Sequence, residues 1–265
     1  SILKNFQLYE ILNKNLSNNK FYKKIKFKKK NLKLNQYNLI INTDYSSFLT
    51  KKIFYKNIIK KYNSLAYTTI IKHEKINNNI ATQIFTKRGP LAFLPVSEKE
   101  TSIVYSIHNS KNNKIENIKD LINQYNFKYK IKKIEKIESV ELKSFNLRSY
   151  FHQNILAFGD LLHRVHPLAG QGFNMTIRDV KMLIQIIKNK ISLGLPLDKS
   201  VNFEFERKMR HKNLIFSTGV DMVHKVFNFE RKVKSSILSK SIQIICNNPS
   251  INKIFIKIAD EGINI

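Results

Sequence analysis

Residues 154–187 constrain the fold more than any other stretch: an apolar run, a carboxylate, a glycine-punctuated loop and a helical stripe follow in that order. Residues 155–158 are wholly apolar and close on Gly159-Asp160, the pattern of a buried strand that ends at an acidic side chain. Pro167, Gly170 and Gly172 then mark a loop. Phe173, Ile177, Val180, Ile184, Ile187 and Ile191 recur at three- and four-residue steps. This spacing predicts a helix beginning near Asn174 with those side chains on its one buried face.

The layout has a chemical use. A carboxylate where a strand runs out can accept hydrogen bonds from ligand hydroxyls. Gly170 and Gly172 let the backbone come close to a flat ligand. A helix start directs unpaired N–H groups and the positive end of its dipole at whatever sits before it. Together these suit a polyol joined to a ring system that becomes anionic on reduction, which describes a flavin.

Gly159-Asp160, His163, His166-Pro167-x-Ala169-Gly170-Gln171-Gly172-x-Asn174 and Arg178-Asp179 resemble the second FAD motif of the class A flavoprotein monooxygenases. The subgroup they most resemble is the ubiquinone-biosynthesis ring hydroxylases. The resemblance implies that Asp160 binds the ribityl chain and that Pro167, Gly170, Gln171, Gly172 and Asn174 cradle the isoalloxazine. Thr176 departs from the family, which has a glycine in the first helical turn. His163 and His166 are expected to satisfy loop carbonyls rather than to meet flavin or substrate.

A second match lies at residues 37–47, where an apolar run leads into Asn42-Thr43-Asp44-Tyr45-Ser46-Ser47. This resembles the family's middle motif, Ala-Asp-Gly-x-x-Ser, with Asp44 as its acid and a further FAD contact. Tyr45 stands where the family has glycine, and Ser47 matches only if the loop is one residue shorter. A tyrosine in a position built for glycine is expected to be strained or to fill cofactor space.

Between the two motifs the chain reads as strands: 65–75 (Leu65, Tyr67, Thr69 and Ile71 on one face), 80–87, 91–95 and 101–108, with a turn at Arg88-Gly89-Pro90. Successive strands with polar turns predict an antiparallel sheet, and Gly89 to Pro95 resembles the family strand that roofs the flavin. Residues 1–18 and 115–125 read as helices, 131–138 as an exposed helical turn, and 140–150 as extended chain. Asp198 is expected to cap a helix carrying Phe203, Phe205, Arg207 and Arg210, and the remainder to 265 reads as helical, with stripes at Ile237, Leu238, Ile242, Ile245, Ile254 and Ile258.

The formal charge of +28 can mark nucleic-acid or anionic-membrane partners. Yet the excess is lysine, spread among Asn, Ile, Tyr and Phe, which is the signature of A/T-rich coding. Only residues 20–30 are dense, with seven lysines between Phe21, Tyr22, Ile25 and Phe27. A strand with one solvated face is the expectation there, and no specific nucleic-acid partner. Cys246 is the single cysteine, so no internal disulfide forms. No apolar run approaches the ~20 residues that span a bilayer, which sets the expectation of a cytoplasmic protein with at most peripheral contact with the inner membrane.

None of the seven glycines forms Gly-x-Gly-x-x-Gly, the turn that seats a pyrophosphate on a helix N-terminus. By the resemblance, roughly a hundred or more residues of the family fold are not in this chain, including the first strand–helix–strand. A parallel sheet without them exposes apolar surface. The expected fold class is therefore α/β: a partial FAD-binding Rossmann-like domain (1–62), an inserted antiparallel β-sheet substrate domain (63–150), and the FAD-binding continuation with C-terminal helices (151–265).

The expected function is FAD-dependent hydroxylation of an aromatic ring of a polyprenylated phenol in ubiquinone biosynthesis. NAD(P)H or another electron donor and O2 serve as co-substrates, and a separate N-terminal half or another ubiquinone-pathway protein as partner. The alternative is a catalytically silent remnant or scaffold subunit of the same fold. No general base and no metal site are assigned.

Overall fold

The computed structural model describes residues 5–25, 34–86, 88–108, 115–165 and 171–233. The chain forms two compact units, Ser1–Lys33 with Asn63–Leu142, and Leu34–Tyr62 with Lys143–Ile265. The sequence reading placed its second boundary at 150 and grouped the first residues with the FAD-type part. The strand spanning Glu138–Leu147 instead runs unbroken through the later crossing point.

In the sheet unit, β2 (Asn57–His73) enters from the other unit, and its residues from Ser64 to Lys72 pair antiparallel with β5 (Glu100–His108). Strand β5 pairs with β4 (Gly89–Ser97), and β4 with β3 (Thr82–Thr86). Alternation sends Tyr67, Ile71, Leu91, Phe93, Ile103, Tyr105 and Ile107 to one buried cluster. Helix α3 (Ile115–Tyr125) closes that cluster with Ile118 and Ile122. Glycine is required at position 89: φ is +144°, and a Cβ there would lie 2.0 Å from the Ser106 carbonyl oxygen.

Two expectations fail here. Residues 131–138 form no helical turn; β6 (Ile131–Ile134) pairs with the end of β2, and Glu138 opens β7 (Glu138–Leu147). A register shift between Lys72 and His73 breaks the period of two. That leaves Lys132 and Lys133 both outward, so the run does not read as alternating. Residues 20–25 are turn and irregular chain rather than strand, and 26–30 lie outside the described residues. Helix α1 (Asn5–Ser17) forms as expected but buries none of its side chains.

The second unit holds a three-stranded sheet in the order β1-β9-β8. Strand β1 (Ile40–Asn42) lies parallel to β9 (Ile155–Ala157), with Ile40 opposite Ile155 and Asn42 opposite Ala157. Strand β8 (Phe151–His152) forms a hairpin with β9 through Gln153, whose φ is +52°. Asn154 holds β1 in place, donating from Nδ2 to the carbonyls of Leu34 (3.0 Å) and Tyr37 (2.6 Å). The short strand α2 follows is capped on its helix side: α2 (Phe48–Ile53) begins with Ser47 accepting the Thr50 N–H.

Helix α4 (Gln171–Ser192) starts three residues earlier than expected and turns the other face inward. Met175, Asp179, Leu183 and Ile186 are buried, while Phe173 (58%), Ile177 (50%), Ile184 (47%) and Ile191 (60%) are exposed. The apolar count chose the wrong face because the buried one carries a carboxylate. Gly194, at φ +66°, ends the helix, and Asp198 accepts the Ser200 N–H at 2.9 Å to cap α5 (Lys199–Val233). Phe205 is buried under β8 and β9, whereas Phe203 is exposed. The stripes expected between 237 and 258 lie outside the described residues.

Candidate flavin-loop site

Ile155, Leu156, Ala157 and Phe158 are all buried, and the chain then makes a tight turn at Gly159–Leu161, with Gly159 at φ +64°. Leu161 and Leu162 plunge back into the core with no exposure at all. Anchored on both sides, Asp160 has only one direction left and is exposed. Among the described residues nothing bonds to its carboxylate. A solvent-facing acid held on a rigid, buried turn is a pre-aimed acceptor.

Beyond the turn, β10 (His163–Arg164) pairs with β7, His163 opposite Asn146. Here the expectation for His163 is overturned. It meets no loop carbonyl but is buried, with Nε2 2.5 Å from Asp179 Oδ2 on α4. Asn213 of α5 donates to the other Asp179 oxygen at 3.0 Å. An ionised carboxylate only accepts, so Nε2 carries the hydrogen. The Nδ1 atom of His163 has no partner among the described residues. Burial pushes the nearby Tyr150 phenol up, with the Asn213 contact opposing that shift. One buried polar lock thus ties β10, α4 and α5 together immediately before the loop at 166–170.

Pro167, Gly170 and His166 lie outside the described residues, and Gln171 opens α4. Gly172 sits in that first turn, where an added Cβ would meet Val165 Cγ2 at an ordinary contact distance of 3.8 Å. Asn174 is half-buried. Thr176 returns its hydroxyl to the Gly172 carbonyl at 3.4 Å, so the departure from glycine adds no free polar group. Arg178 lays its guanidinium 4.2 Å from the Phe216 ring centre, and burial lowers its pKa.

Asp44 is engaged locally. Its Oδ1 accepts the Ser46 N–H and hydroxyl, each at 2.8 Å, and these bonds hold the carboxyl below the usual carboxylate range. Asn42 donates to Thr50 Oγ1 and accepts the Asp44 N–H, which locks the turn to α2. The strain expected at Tyr45 is absent: among the described non-glycine residues only Asn63 and Gln153 have positive φ. Tyr45 instead fills space, edge-on to Phe145 and 4.8 Å from the Arg164 guanidinium. Sequence reasoning missed the Asp179–Asn213 link, because 34 residues separate the partners and no local spacing signals it.

The mixed α/β fold, with its antiparallel sheet, parallel β1–β9 pair and closing helices, is that of FAD-dependent monooxygenases. It superposes on p-nitrophenol 4-monooxygenase PnpA from Pseudomonas putida with a TM-score of 0.65 at 12% identity, covering 86% of this chain and 60% of that one. The anhydrotetracycline hydroxylase OxyS from Streptomyces rimosus gives 0.60 at 13% identity, covering 84% and 46%. Residues 58–192, half of the chain, match the family described as FAD binding domain, and the chain belongs to that family.

Among curated proteins it is 23% identical over 232 residues to the mitochondrial ubiquinone biosynthesis monooxygenase COQ6 of Drosophila melanogaster, covering 73% of this chain and 49% of that protein. It is 28% identical over 153 residues to the 3-demethoxyubiquinol 3-hydroxylase of Escherichia coli, covering 55% and 39%. The chain thus spans about half the length, or less, of these relatives. No helix among the described residues is long and apolar enough to cross a membrane.

The donor set fits the second half of an FAD site. An exposed carboxylate with no partner among the described residues suits ribityl hydroxyls, and the N-terminus of a 22-residue helix suits negative charge. The pyrophosphate turn has no counterpart in the sequence.

Proposed function

We propose that this chain is the part of an FAD-dependent aromatic hydroxylase that carries the second flavin loop, acting on a polyprenylated phenol in ubiquinone biosynthesis. The observation that carries the reading is Asp160: a carboxylate without a partner among the described residues, fixed by two fully buried leucines, one loop before a helix N-terminus. The names of the relatives support the pathway and the ring chemistry.

FAD, reduced by NAD(P)H or another donor, supplies the oxygen activation. The residues here bind and orient. Asp160 accepts hydrogen bonds from the ribityl chain, and Pro167, Gly170 and Gln171 shape the loop against the ring. Gly172 lets the backbone come close, Asn174 and the first α4 N–H groups stabilise negative charge on the isoalloxazine, and Asp44 braces the neighbouring turn. The buried His163–Asp179–Asn213 lock holds both ends of the loop in register.

The test is Asp160→Ala in the FAD-loaded protein, read by flavin fluorescence titration. One hydrogen bond to a charged group is worth about 1.5–3 kcal/mol, so FAD affinity falls roughly tenfold to a hundredfold, with the melting profile of the apoprotein unchanged. Loss of folding with unaltered affinity per folded molecule makes Asp160 structural and sinks the flavin reading of this loop. Tyr45, in the family's glycine position, favours one second reading, a silent scaffold of the same fold. A folded protein that retains no flavin would select it.

A further inference from the structure

Lysine is scattered over the whole chain, but in the sheet unit the fold gathers it around a cleft. This cavity of about 460 Å³ is lined by Lys72, Lys75, Ser97, Lys99, Glu100 and Lys132. The lysines come from separate segments: Lys72 near the end of β2, Lys75 just beyond it, Lys99 in the β4–β5 turn and Lys132 on β6. Cross-strand register lays the floor. Lys72 stands opposite Glu100, and Glu100 opposite Ser97, so one row of side chains crosses β2, β5 and β4 on a single face. The irregularity between Lys72 and His73 leaves Lys132 outward at the edge of that row.

Charge and donors at the cleft are unbalanced. Four lysines stand against the one carboxylate of Glu100. Lys72 pairs with Glu135 at 3.2 Å and Lys75 with Glu98 at 3.1 Å, but an ammonium has three hydrogens to donate. Lys99 and Lys132 have no ion-pair partner among the described residues. Ser97 Oγ accepts the Lys99 N–H at 3.2 Å, which leaves its own hydroxyl hydrogen to donate. The buried His73 ring beside them is spent, with both nitrogens engaged by Glu74 and Thr101.

We propose that this cleft binds a small phosphorylated ligand with at least two negative charges, a diphosphate or a phosphomonoester. Its oxygens only accept hydrogen bonds, and a tetrahedral oxyanion can bridge lysines held on different strands. The volume fits, since small-molecule sites run to about 300–1,000 Å³; a diphosphate enters with part of the group it esterifies. Duplex nucleic acid suits the site less well, because the donors line one cavity of small-molecule size instead of a stripe that tracks a backbone. The same phosphate chemistry occurs on a soluble metabolite and on a phosphatidate headgroup, and the test separates these sources. Every lining residue belongs to the Asn63–Leu142 part of the sheet unit, so the inference does not rest on the flavin reading.

The experiment titrates the 265-residue chain with inorganic pyrophosphate by calorimetry, at an ionic strength of about 0.15 M. The expected result is saturable binding that Lys99→Gln with Lys132→Gln weakens roughly tenfold or more. A control with the same change of charge on exposed α4 lysines, Lys181→Gln with Lys188→Gln, keeps the parental affinity. All four positions are exposed, so the circular-dichroism melts of both variants match the parent. Equal losses in the two variants, no saturable binding, or equal affinity for the dicarboxylate malonate overturns the proposal. Flotation with phosphatidylcholine vesicles containing phosphatidate then selects the source. Vesicle binding that is lost in the Lys99–Lys132 variant supports a lipid headgroup, and pyrophosphate binding without vesicle binding supports a soluble ligand.

Discussion

Among the described residues the two units each bury one histidine, and the contrast between them shows how differently they are closed. His73, in the sheet unit, has both ring nitrogens engaged, Nδ1 with the Glu74 carbonyl at 2.7 Å and Nε2 with the Thr101 hydroxyl at 2.9 Å. Around it a continuous apolar cluster is covered by α3 and by Tyr129, stacked on Phe93 at 5.7 Å. His163, in the flavin-loop unit, faces a buried carboxylate with one nitrogen and has no described partner for the other. Around it a helix keeps half its apolar residues in water. Apart from α1, whose apolar side chains also stay in water, the sheet unit is held by shape and burial; the flavin-loop unit is pinned by a polar lock while part of its apolar surface stays open.

The largest effect that probes this difference is His163→Ala. Removing the buried ring leaves a cavity and takes one of its two hydrogen-bond donors from the buried Asp179 carboxyl, which together cost about 3–5 kcal/mol. Urea unfolding followed by circular dichroism checks it. The triple variant His163→Leu, Asp179→Leu and Asn213→Leu should recover much of the loss, since it removes the buried Asn213 donor together with its acceptor. If the single variant costs less than about 1 kcal/mol, the lock is not what pins the open unit.

Next comes a pair on α4. Ile186 is fully buried and Ile184 is 47% exposed, two positions apart on one helix. Ile186→Ala should cost about 2–5 kcal/mol and Ile184→Ala within about 0.5 kcal/mol. Equal losses would mean that the stripe packs internally after all, and the open–closed contrast would fall.

That pair also marks where the sequence was readable. The element types around the loop were legible: apolar 155–158 as buried strand, Asp198 as a cap, the alternating runs as an antiparallel sheet. Each follows from local periodicity or one local hydrogen bond. The face of α4 was not, because a stripe count ranks faces by apolarity, and here the inner face includes Asp179, hydrogen-bonded by residues 16 and 34 positions away. Strand β6 was hidden for a related reason, a bulge that erased the alternation. Asp160 was legible as a strand-ending acid, but its outward aim could be seen only once Leu161 and Leu162 were found in the core.

The smallest effect concerns the cap on α5, in the open unit. The Asp198 carboxyl lies below its ordinary range, first because of the Ser200 hydroxyl and then because of the Ser200 N–H. A carboxylate whose folded pKa is lowered stabilises the fold above its unfolded value. That contribution is lost as pH falls through the folded value, because the unfolded chain takes up the proton first. The Asp198 contribution is therefore complete above about pH 4 and fades in more acid solution. Asp198→Ala should lower the melting temperature slightly at pH 7, with the gap to the parent closing in acid, and Asp198→Asn, which keeps an accepting oxygen for the Ser200 N–H, should restore most of it at pH 7. A gap that stays constant down to acid pH would show that the ionised carboxylate is not what caps α5.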